Sequence, residues 1–246
     1  MRTLILSDLH ANVEATEAVL RAARGLGYDR TFVLGDLAGY GADPGAVVAA
    51  VRALPGLRIV RGNHDKIVAD LEPMEGFNDQ ARAAAEWTRR ALAPDLVAWI
   101  RELPRGPIPA APGVILSHGS PADEDAYLLH TGEARRAFDQ GPFDLCFFGH
   151  THLPGVFVEE GGRIQWSAAR GDRVDVPLAP GRRCLVNPGS VGQPRDRDPR
   201  AAFAVYDDVA RLISIVRVPY AIASARSKIQ EAGLPPWLGD RLLLGV

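Results

Sequence analysis

Through the first third of the chain, short apolar runs alternate with amphipathic stretches, and each apolar run stops at a polar residue. Residues 3–7 form such a run before Asp8, residues 31–34 before Gly35-Asp36, and residues 57–60 before Arg61-Gly62-Asn63-His64. Runs this short, flanked by turn residues, predict buried strands. Between them, Val13, Val19, Leu20 and Ala23 share one helical face over Val13–Leu26, with Asn12 as N-cap and Gly25 and Gly27 as the stop. Pro44 opens a second helix, 44–54, in the first-turn position it favours. The order β-α-β-α-β predicts a parallel sheet with right-handed crossovers.

Helices are also predicted over 78–93 and 94–103, with Trp87 and Trp99 packed inward, and over 133–140. Strands over 114–117 and 145–148 end at His118 and at Gly149-His150. The remainder changes character. Residues 156–159, 163–166, 184–186, 202–206 and 212–218 are strand-like runs between Gly/Pro-rich turns, with Gly161-Gly162 as a hairpin turn and 220–232 as a closing helix. Five separate strands thus stop at a candidate ligand. In open α/β sheets, ligands sit beyond the carboxyl ends of the strands, so residues distant in sequence are expected at one edge.

At 246 residues, 47% hydrophobic and 24% charged, the chain can bury a sizeable core, and one domain spanning 1–246 is expected. A net charge of -2 with 7% aromatic residues offers neither a basic groove nor a stacking surface, which argues against a nucleic-acid partner. No apolar stretch approaches the roughly 18 residues of a membrane span, so no membrane partner is expected. The N-terminal apolar run is too short for a signal-peptide core, and Cys146 and Cys184 lie in strand-like runs as buried thiols, so the expected location is cytoplasmic.

Five of the six histidines fall in short acidic/His motifs: Asp8-Leu9-His10, Gly35-Asp36, Gly62-Asn63-His64-Asp65, Ser117-His118-Gly119 and Gly149-His150-Thr151-His152. Only His130 lies outside them. Carboxylate, imidazole and amide oxygen are the ligands that hold transition metals at catalytic sites. In an extended segment residues i and i+2 point the same way, so Asp8 and His10 are expected to reach one ion. His150 and His152 share that spacing. Asp36 stands alone after its strand and is expected to bridge two cations, one oxygen to each. Asn63 offers a neutral oxygen.

The ordered blocks D-x-H, G-D, G-N-H-[DE], a lone His and G-H-x-H resemble the calcineurin-like metallophosphoesterases, and all five run from Ser7 to His152. The resemblance implies an α/β fold, a four-layer αββα sandwich with two central mixed sheets, the second drawn from the later strands. It implies two divalent or trivalent transition metal ions, of Mn, Fe, Zn, Ni or Co type. Asp8, His10, Asp36 and His152 would hold the first; Asp36, Asn63, His118 and His150 the second. His64 would face the substrate as proton donor, with Asp65 orienting it. The implied activity is a two-metal phosphoesterase that opens phosphodiester or phosphomonoester bonds of a small phosphorylated metabolite or nucleotide, by attack of a metal-bridging hydroxide.

Gly39-Tyr40-Gly41 stands where Ser/Thr phosphatases and diadenosine tetraphosphate hydrolases, which carry G-D-x-x-D-R-G, have Asp-Arg-Gly; this counts against protein phosphatase activity. Asn187-Pro188-Gly189-Ser190 makes a turn of a kind found near the site in the small phosphodiesterase branch. The Arg195, Arg197 and Arg200 segment is expected as an exposed Arg/Asp-rich turn, with phosphate contact as the alternative, and His130 as a solvated surface residue. The rival functions are a cyclic-nucleotide phosphodiesterase and a non-catalytic, metal-stabilised binding scaffold.

Overall fold

The computed structural model describes all residues, 1–246. In chain order its elements are β1 (Arg2–Leu6), α1 (Val13–Leu26), β2 (Arg30–Val33), α2 (Pro44–Arg52), β3 (Arg58–Ile59), α3 (Asn63–Val68), α4 (Asp79–Ala91), α5 (Pro94–Arg101), β4 (Ile108–Ala111), β5 (Val114–Leu116) and α6 (Thr131–Phe138). There follow β6 (Leu145–Phe147), β7 (Gly155–Glu160), β8 (Arg163–Ala168), β9 (Arg173–Pro177), β10 (Arg183–Asn187), β11 (Ala201–Asp207), β12 (Leu212–Val218), α7 (Ile222–Glu231) and α8 (Pro236–Leu244).

The strands form two mixed six-stranded sheets, in the orders β3-β2-β1-β11-β12-β9 and β4-β5-β6-β10-β7-β8. The parallel pairs β1/β2 and β2/β3 come from the two crossovers α1 and α2. Side chains alternate across each strand, and both faces are covered. Leu4, Leu6, Val33, Phe203 and Val205 join the core under α1, α2 and α5. Their neighbours Ile5, Phe32, Leu34, Ala204 and Tyr206 point the other way, into a core shared with Leu116, Phe147 and Val186 of the second sheet. Phe138 of α6 packs on the outer face of that sheet with Phe148 and Leu185. The result is the expected helix–sheet–sheet–helix order. α4, α7 and α8 make a smaller core of their own.

Local signals behave as expected. Asn12 caps α1 by accepting the Ala15 N–H at 3.1 Å. Gly161 and Gly162 take left-handed φ of 56° and 78° in the β7–β8 hairpin. Trp87 and Trp99 are only half-buried, each against the edge of a core. The later strands divide, however. β7, β8 and β10 enter the second sheet, but β9, β11 and β12 join the first, where β11 pairs antiparallel with β1. β4, β9, α3 and α8 are elements beyond those the sequence pattern predicts, although Val174 and Val176 of β9 alternate with polar residues. No helix is long and apolar enough to cross a membrane.

Candidate metal centre

β1, β2 and β3 of one sheet, and β5 and β6 of the other, end on the same side. Their following loops carry Asp8 and His10, Asp36, Asn63 and His64, His118, and His150 and His152. All are buried except the half-buried Asn63. One donor atom from each of Asp8, His10, Asp36 and His152 lies within 4.8 Å of the others, and the same holds for Asp36, His118 and His150. The two groups share Asp36. Asn63 Oδ1 joins the second, 3.1 Å from His118 Nε2.

The shared carboxylate differs from the expected one-oxygen-to-each bridge. Asp36 Oδ1 is taken by the His64 backbone N–H at 2.9 Å. Oδ2 alone faces both groups, 3.6 Å from His10 Nε2 and 3.5 Å from His118 Nε2. Gly62 makes this possible, since a Cβ there would sit 2.1 Å from Asp36 Oδ1.

Asp8 and His10 converge, but not through strand alternation. β1 ends at Leu6, and Asp8, His10 and Ala11 take left-handed φ of 53°, 46° and 52°. Asp36, His150 and His152 do the same at 54°, 64° and 59°. Non-glycine residues rarely hold this conformation without external constraint. Here the constraint is a ladder between loops: Asp8 N–H to Gly35 O, His10 N–H to Asp36 O and Ala11 N–H to Leu37 O, at 2.9–3.1 Å.

Each imidazole is fixed by its second nitrogen against a main-chain carbonyl. His10 Nδ1 meets Ala38 O at 3.1 Å, His118 Nδ1 meets Leu34 O at 2.7 Å, His150 Nε2 meets Asp125 O at 2.9 Å and His152 Nδ1 meets Gln193 O at 2.5 Å. A carbonyl only accepts, so each of these nitrogens carries the proton, and the inward nitrogen presents a lone pair. The inward atoms crowd together: His10 Nε2 and His152 Nε2 are 3.2 Å apart, His118 Nε2 and His150 Nδ1 3.1 Å. Burial holds His10 and His152 far below the ordinary histidine value, and burial with the neighbouring His118 takes His150 down to about 2. Burial pushes Asp8 up to about 7, and burial with the charge of Asp65 raises Asp36. Neutral imidazoles and buried carboxylates aimed at one another need a cation between them, and this nitrogen and oxygen donor set suits a transition metal.

The calcineurin-like phosphoesterase superfamily domain matches residues 1–209. The chain belongs to this superfamily. It is 37% identical to the uncharacterized protein MJ0912 of Methanocaldococcus jannaschii over 244 residues, 98% of this chain and 97% of that protein. Among solved structures, a metallophosphoesterase from Sphaerobacter thermophilus superposes with a TM-score of 0.89 at 36% identity, over 100% of this chain and 99% of that one. The hypothetical protein PH1004 from Pyrococcus horikoshii has the same fold at TM-score 0.79 and 19% identity, covering 100% and 98% of the two chains.

In this member of the superfamily a cavity of about 360 Å³ opens over the shared carboxylate, lined by Asp36, Asn63, His64, His150 and His152, with Phe77, Tyr127 and Arg195 among its walls. Tyr127 stacks on His150 at 4.0 Å between centroids. His64 is packed between Tyr40 and Phe77, with its Nδ1 buried and without a partner beneath Gly39. That leaves Nε2 for the cavity. Burial also holds His64 well below the ordinary histidine value, which favours the neutral ring with its proton on Nε2.

Asp65 does not orient His64. Its oxygens accept four backbone N–H groups instead, from Asp36 at 2.8 Å, Leu37 at 2.9 Å, Ala38 at 3.4 Å and Gly62 at 2.9 Å. At the third position of α3, its carboxylate reaches back to the Gly62 N–H that precedes the helix, and clips the Asp36 loop to that end. His130 is exposed, caps α6 and lies outside the cavity.

The 187–195 loop is the part of the site that local pattern underweights. Asn187 Nδ2 donates to Gly149 O and Thr151 Oγ1, Ser190 Oγ to Asp8 O, and Gly192 N–H to Asp8 O, all at 2.8–3.0 Å. It therefore buttresses both ligand loops from behind. Arg200 pairs with Asp198 and Asp172, and Arg197 is exposed, but Arg195 turns into the cavity. The one usable signal was its adjacency to Asn187-Pro188-Gly189-Ser190. Glu72, Glu124 and Asp125 form a third acidic group, but Lys66, Arg61 and Arg105 already pair with it.

Proposed function

We propose that this protein is a two-metal phosphoesterase acting on a small phosphorylated metabolite or nucleotide. The observation that carries it is the pair of donor groups sharing Asp36 Oδ2 beneath a cavity large enough for such a substrate. Asp8, His10, Asp36 and His152 hold one ion, and Asp36, Asn63, His118 and His150 the other. When bound, the ions neutralise phosphate charge and acidify a water toward neutral pH.

The chain's own groups do the rest. Carbonyls at Ala38, Leu34, Asp125 and Gln193 hold the imidazoles in their ligating tautomer. His64 Nε2 donates a hydrogen bond to the leaving oxygen as charge develops there. Phe77 and Tyr127 offer ring faces to the organic part of the ester.

The test is a screen of aryl and nucleotide phosphate esters on protein reconstituted with Mn²⁺, with elemental analysis of the same samples. Hydrolysis at two ions per chain is expected. His64→Ala should keep both ions and lose about 10²–10⁴-fold in kcat on a poor leaving group. Two bound ions with no ester turned over would make the protein a metal-stabilised scaffold and end the proposal.

A further inference from the structure

Arg195 is the only Lys or Arg lining the cavity. It has no carboxylate within ion-pair distance, unlike its neighbours Arg200 and Arg217. Its Nη2 donates to Gln193 Oε1 at 3.1 Å, and its Nε is buried without a partner. Nη1 has no partner in the protein and is not sealed off. The guanidinium lies 6.0 Å from the centre of the Tyr40 ring, which forms its bed. A half-buried arginine with an orphaned N–H costs stability, so its placement calls for an anionic guest.

We propose that Arg195 receives a phosphoryl oxygen of the substrate, and that this selects phosphomonoesters over phosphodiesters at the site. The inference rests on the phosphoesterase reading above. A diester has two terminal oxygens and one negative charge. A monoester dianion has three terminal oxygens, and the extra one finds only Arg195 among the cavity's cationic side chains. In a diester the second ester arm would meet the guanidinium and Tyr40 in its place. Of the acidic wall residues, Asp36 faces the metal ligands, while Glu72 and Asp125 pair with Lys66 in a cluster whose third carboxylate, Glu124, is met by Arg61 and Arg105, so none of them pairs with Arg195.

The experiment uses inorganic phosphate and a matched pair of aryl esters, one mono and one di. Calorimetry on metal-loaded wild-type protein and Arg195→Met should show phosphate affinity falling about 10- to 100-fold, the worth of a charge-assisted hydrogen bond. Metal content should not change. Turnover per KM should fall by a similar factor on the monoester and by much less on the diester. Arg195→Lys, which keeps the charge but not the fork, should recover only part. Unchanged phosphate affinity in Arg195→Met, or loss of metal in both variants, overturns the proposal. Equal losses on the two esters overturn the selectivity. Phosphate bound through Arg195 by a protein that turns over no ester would sink the enzymatic reading and leave the anion site standing.

Discussion

Replacing Asp65 by asparagine tests which of two jobs this residue performs. Asp65 Oδ2 accepts the N–H groups of Asp36 and Gly62, at 2.8 and 2.9 Å, and Oδ1 those of Leu37 and Ala38, at 2.9 and 3.4 Å. Asparagine has one oxygen. In its better orientation it keeps the first pair and turns an NH2 toward the second, so one good bond and one long one are lost. The lost acceptor was charged, and the donors stay buried. At about 1.5–3 kcal/mol per charge-assisted bond and less for the long one, Asp65→Asn should cost about 2–4 kcal/mol. Urea unfolding in chelator, followed by far-UV circular dichroism, reads this without metal linkage. Because the Leu37 and Ala38 N–H groups that follow Asp36 lose their anchor, metal content after reconstitution should fall too. If stability and metal content stay at wild-type values while kcat alone collapses, Asp65 acts through His64 and the geometric argument is wrong.

Asp36→Ala removes the only oxygen common to both donor groups, and elemental analysis should find both ions lost; two retained ions would refute the bridge. Burial raises Glu124, but its pairs with Arg61 and Lys66 outweigh that and leave it below the ordinary glutamate value. A depressed folded pKa stabilises above the unfolded value and is lost as pH falls through the folded one, so Glu124→Gln should be less stable than wild type near pH 7. The gap should narrow as pH drops below about 4.3, measured as the difference in urea midpoint. His130→Ala should leave kcat and KM within twofold, about the error expected of an exposed surface change; a collapse would show that the cavity is misassigned.

The ligand loops were legible because each is local: an apolar run, then Asp, Asn or His within four residues of its end. Asn12 and Pro44 were legible for the same reason. What the pattern did not carry is pairing at long range. β11 lies beside β1 some two hundred residues earlier in the chain, and no periodicity in either strand names its partner. Asp65 was misjudged because a carboxylate beside a histidine is the nearest candidate by sequence, whereas its four donors come from two separate loops. The single-oxygen geometry of Asp36 depends on Gly62 standing 26 positions away, and Arg195 on the loop that buttresses Asp8 and Gly149.

Five of the residues proposed to grip the ions hold left-handed backbone, a conformation glycine adopts freely and L-residues at about 1 kcal/mol or more each. A laboratory selection for heat resistance alone would therefore find easy gains at Asp8, His10, Asp36, His150 and His152, and each gain would delete a ligand. Robustness and chemistry pull in opposite directions at those positions, so any thermostabilised descendant of this chain needs its metal content checked before its melting point is trusted.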